Sequence, residues 1–250
     1  MSPGEARPLT GKRVLVTGGA RRIGRGLAMA LGRAGANVAI TYRGSEDQAE
    51  HVAIDLGGLG VQALAIGCDV HHEWSVKRAV EDAATALGGL DLLINNAGRF
   101  ETETLERIKL EQWDEMFATN TRGPFLMAKH AYPHLKRVRG RIINIGSLGG
   151  MHPWSTHAHY SASKAALHML SQTMAKAWAP EISVNCVAPG MIVTTGDISV
   201  GYEHFAAKTP MKRNGTVDDV AAAVLFFATG PHFITGQILP VDGGTTIQSR

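Results

Sequence analysis

Six short apolar runs, separated by longer stretches of helical period, constrain this chain more than any other feature. The runs are VLVT (14–17), NVAITY (37–42), ALAIGCDV (63–70), LDLLINN (90–96), GRIINIGS (140–147) and ISVNCVAP (182–189). Between them lie IGRGLAMALGRAG, SEDQAEHVAIDLGG, EWSVKRAVEDAATALGG, the long LEQWDEMFATNTRGPFLMAKHAYPHLKR, and the segment around Tyr160. Strands apolar at nearly every position are buried on both faces, which calls for a parallel sheet with helices above and below. Right-handed crossovers then predict an α/β fold, a doubly wound central sheet of about seven parallel strands flanked by helices. The last helix is TVDDVAAAVLFFAT, with Thr216 as N-cap and acids in its first turn, and GQILPVDGG supplies the final strand. No linker, repeat or composition break divides the 250 residues. A single domain over 1–250 is expected, with 1–10 as a flexible N-terminal segment.

Composition narrows the function classes. Charged residues make up 19% of the chain and the formal net charge is +3. No apolar run is long enough to span a bilayer, and MSPGEARPLTGKR has no apolar core of a signal peptide, so neither membrane nor export is expected. The basic residues are scattered apart from RRIGR (21–25) and KRVRGR (136–141), with no interleaved aromatics; nucleic acid is not an expected partner. Cys68 and Cys186 show no CxxC or metal spacing and are read as small buried thiols of a cytoplasmic protein. The eleven histidines include His71-His72 and the pair His157 and His159, but no acid or cysteine joins them at ligand spacing, so no metal is expected.

In open α/β sheets ligands bind beyond the carboxyl ends of the strands, so the residues after each strand matter most. TGGARRIGRG (17–26) is a glycine-containing turn feeding a helix, whose exposed N–H groups and dipole suit a pyrophosphate. It does not meet GxGxxG, and a plain glycine-rich turn would look similar. After the second strand, where an NAD site places an acid, stand Tyr42, Arg43, Gly44 and Ser45. Arg43 with Arg21 or Arg22 would pair with a 2′-phosphate and favours NADP(H) over NAD(H); the alternative is that these are surface charges. In HYSASKAAL (159–167), Tyr160 and Lys164 are four apart and share a helix face, which alone does not establish chemistry.

Taken together, the chain resembles the short-chain dehydrogenase/reductase family from about residue 11 to about residue 246. TGGARRIG, CDV, NNAG (95–98), Asn120, IGS ending at Ser147, YSASK (160–164) and PGMIVT (189–194) occur in the family's order, with Ser147 thirteen residues before Tyr160. One position departs from the pattern: the family's TGxxxGxG has glycine where this chain has Arg22. Members with a basic residue there often use NADPH.

The resemblance implies a Rossmann fold and a catalytic set of Asn120, Ser147, Tyr160 and Lys164. A tyrosine near its ordinary pKa is a poor proton donor at neutral pH, so Lys164 and the oxidised nicotinamide are expected to lower that of Tyr160. Ser147 would hydrogen-bond the substrate carbonyl. Asn120 would hold a water relaying protons to Lys164, the alternative being a surface amide. For the cofactor, the resemblance implies contacts from Gly18, Ile23 and Gly24 at the turn, and from Asp69 and Val70 at the adenine. Asp69 could equally cap a helix. Asn96, Ala97 and Gly98 would line the adenine ribose side; Pro189, Gly190, Ile192 and Thr194 would frame the carboxamide. Tyr160 and Lys164 would reach the nicotinamide ribose.

LGGMHPWSTHAH (148–159) brings His152, Trp154 and His157 near Tyr160 as candidate substrate-lining residues. The stretch after Thr194, TGDISVGYEHFAAKTPMKRNG, is expected to be a long mobile loop over the substrate. The tail most resembles 3-oxoacyl-[acyl-carrier-protein] reductases, which makes a carbonyl or acyl-thioester substrate the expectation. An acidic acyl-carrier protein would then meet Arg122, Lys129, Lys136 or Arg137. Pteridine, sugar or steroid alcohol substrates, and a non-catalytic NADP-binding sensor, are the alternatives. AKHAYPHL and AALHMLSQTMAKAW are apolar over more than one stripe, which predicts a second buried face and a homodimer or homotetramer.

Overall fold

The structure, a computed structural model, describes residues 7–194 and 201–247. Seven parallel strands form one sheet in the order β3 (Ala63–Gly67), β2 (Asn37–Tyr42), β1 (Arg13–Val16), β4 (Leu92–Asn95), β5 (Arg141–Ile145), β6 (Ser183–Pro189) and β9 (Ile238–Val241). In register, Val14 lies between Val38 of β2 and Leu92 of β4. Strand order therefore reverses between β1 and β4, which opens a crevice at their carboxyl ends.

Alternation along each strand feeds two cores. Val14 and Val16 pack toward α1 (Arg22–Arg33), α2 (Glu46–Gly57) and α8 (Val217–Thr229), meeting Leu27, Leu31, Val52 and Val224. Leu15 points the other way, toward α3 (Glu73–Leu87), α5 (Gly123–Arg137) and α6 (Ala158–Trp178), among Val80, Met127 and Leu135. Burying a leucine such as Leu31 or Leu135 contributes about 1.5–3 kcal/mol over leaving it in water. Gly26 lets α1 and α8 touch, since a β-carbon there would collide with Val217. Thr216 caps α8 as expected: its hydroxyl accepts from the Asp219 N–H at 3.2 Å, and Asp219 accepts from the Thr216 N–H at 2.7 Å.

Three expectations change. The helix over 110–137 is not continuous: α4 (Leu110–Phe117) passes into a π-helical turn, Ala118–Arg122, before α5 begins. Gly123 N–H bonds to Ala118 O, five residues back, and Pro124 has no N–H to restore the ordinary ladder. The segment after Thr194 is not loop throughout. Residues 195–200 lie outside the described residues, but α7 (Gly201–Lys208) follows, and β8 (Gly215–Thr216) pairs with β7 (Ile192–Val193). From Arg7 onward the N-terminal segment is held rather than loose: the Arg7 guanidinium donates to Leu59 O at 3.0 Å, and Leu9 is buried. Among the described residues, no helix is long and apolar enough to cross a membrane.

Candidate active site

The crevice at the β1–β4 reversal is a cleft of about 1010 Å³. One end is formed by the β1–α1 turn. Gly18 takes φ +64 there, and a β-carbon on Gly24 would run into the Gly18 carbonyl, so α1 starts hard against the turn. Asn96 secures the same turn from β4, donating to Thr17 O at 2.9 Å and to Gly18 O at 3.1 Å. The residue standing where the family pattern has glycine, Arg22, sits at φ 50, in the left-handed region that glycine tolerates best. The α1 N-cap, Arg21, supplies no side-chain acceptor to the first turn, and Arg22, Ile23 and Gly24 of that turn line the cleft. Arg21, Arg43 and the buried Ser45 line it too. Uncapped helix N–H groups beside three arginines form a donor set that fits the phosphates of a dinucleotide, including one on the ribose.

Asp69 stands beside the cleft. Its neighbours Cys68, Val70 and His71 line the cleft, but Asp69 does not. Its carboxylate accepts the His71 N–H at 2.9 Å and stands 4.0 Å from the Arg43 guanidinium. Nor does it cap α3, whose N-cap is His72. The carboxylate closes the turn and faces Arg43.

At the other end, the loop after β5 and the start of α6 bring Ser147, Tyr160 and Lys164 together. Ser147 opens a short 3-10 turn (Leu148–Gly150) with its hydroxyl accepting from Gly149 N–H at 3.0 Å. Burial pushes the Tyr160 phenol above its ordinary pKa, and a hydrogen bond with Ser147 pulls it back. The Lys164 ammonium is the group expected to lower that value, together with the oxidised nicotinamide. That ammonium donates to the Ile145 carbonyl at 2.8 Å and lies 6.0 Å from the Tyr160 ring centre. Burial also brings Lys164 itself down to about 8. Asn120 is fully buried in the π-helical turn rather than a surface amide. Its carbonyl accepts from Arg99 N–H at 2.8 Å, and its amide donates to Arg99 O at 2.9 Å and Ser163 Oγ at 3.0 Å. Gly98 sits where the Asn120 and Lys164 heads converge: a β-carbon there would lie 3.4 Å from Asn120 Oδ1 and 3.7 Å from Lys164 Nζ.

Most other expected positions also line the cleft: Val70, Asn96, Ala97, Gly98, Pro189, Gly190, Ile192, Thr194 and Trp154. Two do not. His152 is absent from the lining, and His157 stands behind Phe100, stacked on it at 4.8 Å. Phe100, His71, Met191 and Phe205 line the cleft without having been expected. Phe100 was findable as the second residue after NNAG; Phe205 was hidden by a segment read as loop. Of the four cations expected to meet a carrier protein, three are engaged: Lys129 pairs with Glu73 at 2.7 Å, Lys136 with Glu181 at 3.8 Å, and Arg122 donates to His71 O at 3.3 Å.

A family model described as enoyl-(acyl carrier protein) reductase, one of the short-chain dehydrogenase/reductase group, matches residues 18–246. Among curated proteins, a 3-oxoacyl-[acyl-carrier-protein] reductase FabG of Staphylococcus epidermidis is 38% identical over 239 residues, covering 93% of this chain and 98% of the relative. The short chain dehydrogenase mdpC of Emericella nidulans is 36% identical over 254 residues, with 94% and 96% covered. Among solved structures, a Burkholderia cenocepacia short chain dehydrogenase in complex with NADP superposes with a TM-score of 0.90 at 37% identity, covering 96% of this chain and 99% of that one.

Proposed function

Because this chain belongs to the short-chain dehydrogenase/reductase family, we propose that it is an NADP(H)-dependent reductase converting a ketone to a secondary alcohol at Tyr160. The observation that carries the reading is the convergence of Tyr160, Ser147 and Lys164 at one end of a cleft whose other end presents Arg21, Arg22 and Arg43. The reduced nicotinamide, when bound, supplies the hydride to the carbonyl carbon. Everything else falls to the chain. The cluster of arginines and the first turn of α1 hold the phosphates. Ser147 and the Tyr160 hydroxyl hydrogen-bond the carbonyl oxygen, and Tyr160 gives that oxygen its proton. Its raised pKa keeps the phenol protonated before the step. Lys164, buried with a positive charge at neutral pH, stabilises the phenolate that remains. Asn120 holds the Arg99 backbone beside Lys164, which fixes the cleft wall.

Within that reading, the 3-oxoacyl thioesters named in the FabG relatives are the first substrate class to test, with an acyl-carrier protein as the carrier. A cytoplasmic setting goes with it, Cys68 and Cys186 being buried and free. Assembly into a homodimer or homotetramer is supported by apolar side chains exposed on three helices: Phe125, Met169 and Phe226. The test is oxidation of NADPH and of NADH with acetoacetyl-CoA. NADPH-selective turnover supports the proposal; the same rate with NADH overturns the cofactor assignment, and binding of NADPH without turnover removes the thioester.

A further inference from the structure

Tyr160 sits in a built aromatic wall. The Phe100 ring meets it edge-on, centres 4.9 Å apart at 85°. Trp154 lies nearly parallel to it, 6.3 Å away and tilted by 10°. Gly149 makes room for both larger rings, since a β-carbon there would lie 3.2 Å from Trp154 and from Tyr160 alike. The wall is braced from behind. His157 stacks on Phe100 at 24°, and both its ring nitrogens are held, by Thr102 Oγ1 at 3.0 Å and Thr156 Oγ1 at 2.9 Å. Despite this bracing, Phe100 remains 58% exposed, and Phe205, lining the same cleft from α7, is 46% exposed. A large apolar ring held open beside a reacting group, with a second in the same cleft, is surface kept for a ligand.

The charges at this end favour a neutral ligand. Among the described residues lining it, the cations are Arg99 and Lys164. Arg99 is taken by Glu101 at 3.0 Å and Glu115 at 2.9 Å, and Lys164 by the Ile145 carbonyl at 2.8 Å. A phosphate-bearing acyl arm would find no uncommitted partner among them. A flat ring gains from edge and face contacts that an alkyl chain does not make.

We infer that the Tyr160 end of the cleft takes ketones bearing an aromatic or conjugated ring next to the carbonyl, with Phe100, Trp154 and Phe205 as its walls, in preference to plain alkyl 3-oxo chains. This rests on the reductase reading and names the substrate class for it. The experiment compares ethyl benzoylacetate with ethyl acetoacetate, which share the 3-oxo ester and differ in the ring. Two readouts are taken on the full chain: NADPH-dependent kcat/KM, and affinity by calorimetry with NADP⁺ present. The aryl ester should be favoured about tenfold or more in both, and Phe100→Leu and Trp154→Leu should each bring the ratio toward one. Equal affinity for the two esters, or a ratio untouched by both substitutions, overturns the inference, whether or not both are reduced. Preferential aryl binding lost in Phe100→Leu, without turnover of either ester, supports ring recognition and places the failure on the reductase reading.

Discussion

The backbone N–H of Ser147 donates to Nε2 of His168 across 3.3 Å, tying the loop after β5 to the helix that carries Tyr160. The bond requires an unprotonated Nε2. Burial and the nearby Lys164 charge hold His168 down to about 4. The unfolded chain takes up this proton near its ordinary value of 6.5, so between pH 6.5 and 4 unfolding binds more protons and stability falls as pH falls. The full loss is about 3 kcal/mol. His168→Gln keeps an acceptor and removes the titration; denaturant melts across this range should show a flatter pH slope than the wild type.

Lys164 carries a similar cost in the opposite part of the scale. Its ammonium, ordinarily at 10.5, is brought down to about 8 by burial, so the folded state resists the charge that the unfolded state accepts. Stability therefore falls as pH drops from 10.5 to 8 and the penalty is complete below that. Lys164→Met should abolish turnover and still melt about 3 °C higher at neutral pH, the lost bond to Ile145 O offsetting part of the gain. The advantage should vanish above the ordinary lysine range. A lower melting temperature at neutral pH would contradict the burial cost.

The same lowered value sets a limb in activity. Reduction by the wild type should decline as pH rises through about 8, where Lys164 loses its proton. Lys164→Arg should move or remove that limb in a kcat/KM profile, since a guanidinium keeps its charge there.

Arg22 holds a backbone angle of φ 50 that glycine adopts more easily. Arg22→Gly should leave thermal stability nearly unchanged or slightly raised. It should also lower the NADPH-to-NADH ratio in kcat/KM by about tenfold, the loss of one charge-assisted hydrogen bond. An unchanged ratio would leave Arg21 and Arg43 as the phosphate ligands.

The sheet was legible because each strand is apolar at nearly every position, and burial on both faces admits few architectures. Tyr160, Lys164 and Ser147 were singled out through the family resemblance, and they line one end of the cleft. Their electrostatics were less legible: how strongly Lys164 acts on Tyr160 depends on where the ammonium turns, and it donates to the Ile145 carbonyl. The role of Asp69 stayed open for a related reason, since one carboxylate can face a ligand, cap a helix or bind its own turn, and sequence does not rank these. The π-helical turn at Asn120 left a trace in Gly123-Pro124, two residues that interrupt a helical ladder. Phe205 left none, because the stretch after Thr194 was read as loop, and α7, which carries it, was not expected.

The most direct test of the central claim is Tyr160→Phe, measured for NADPH affinity by fluorescence titration and for turnover with a ketone that the wild type reduces. NADPH affinity within about twofold of wild type is expected, with turnover lower by at least about 100-fold, the proton donor being gone and the cofactor cleft intact. Turnover that survives the substitution would contradict that claim and remove Tyr160 from the chemistry.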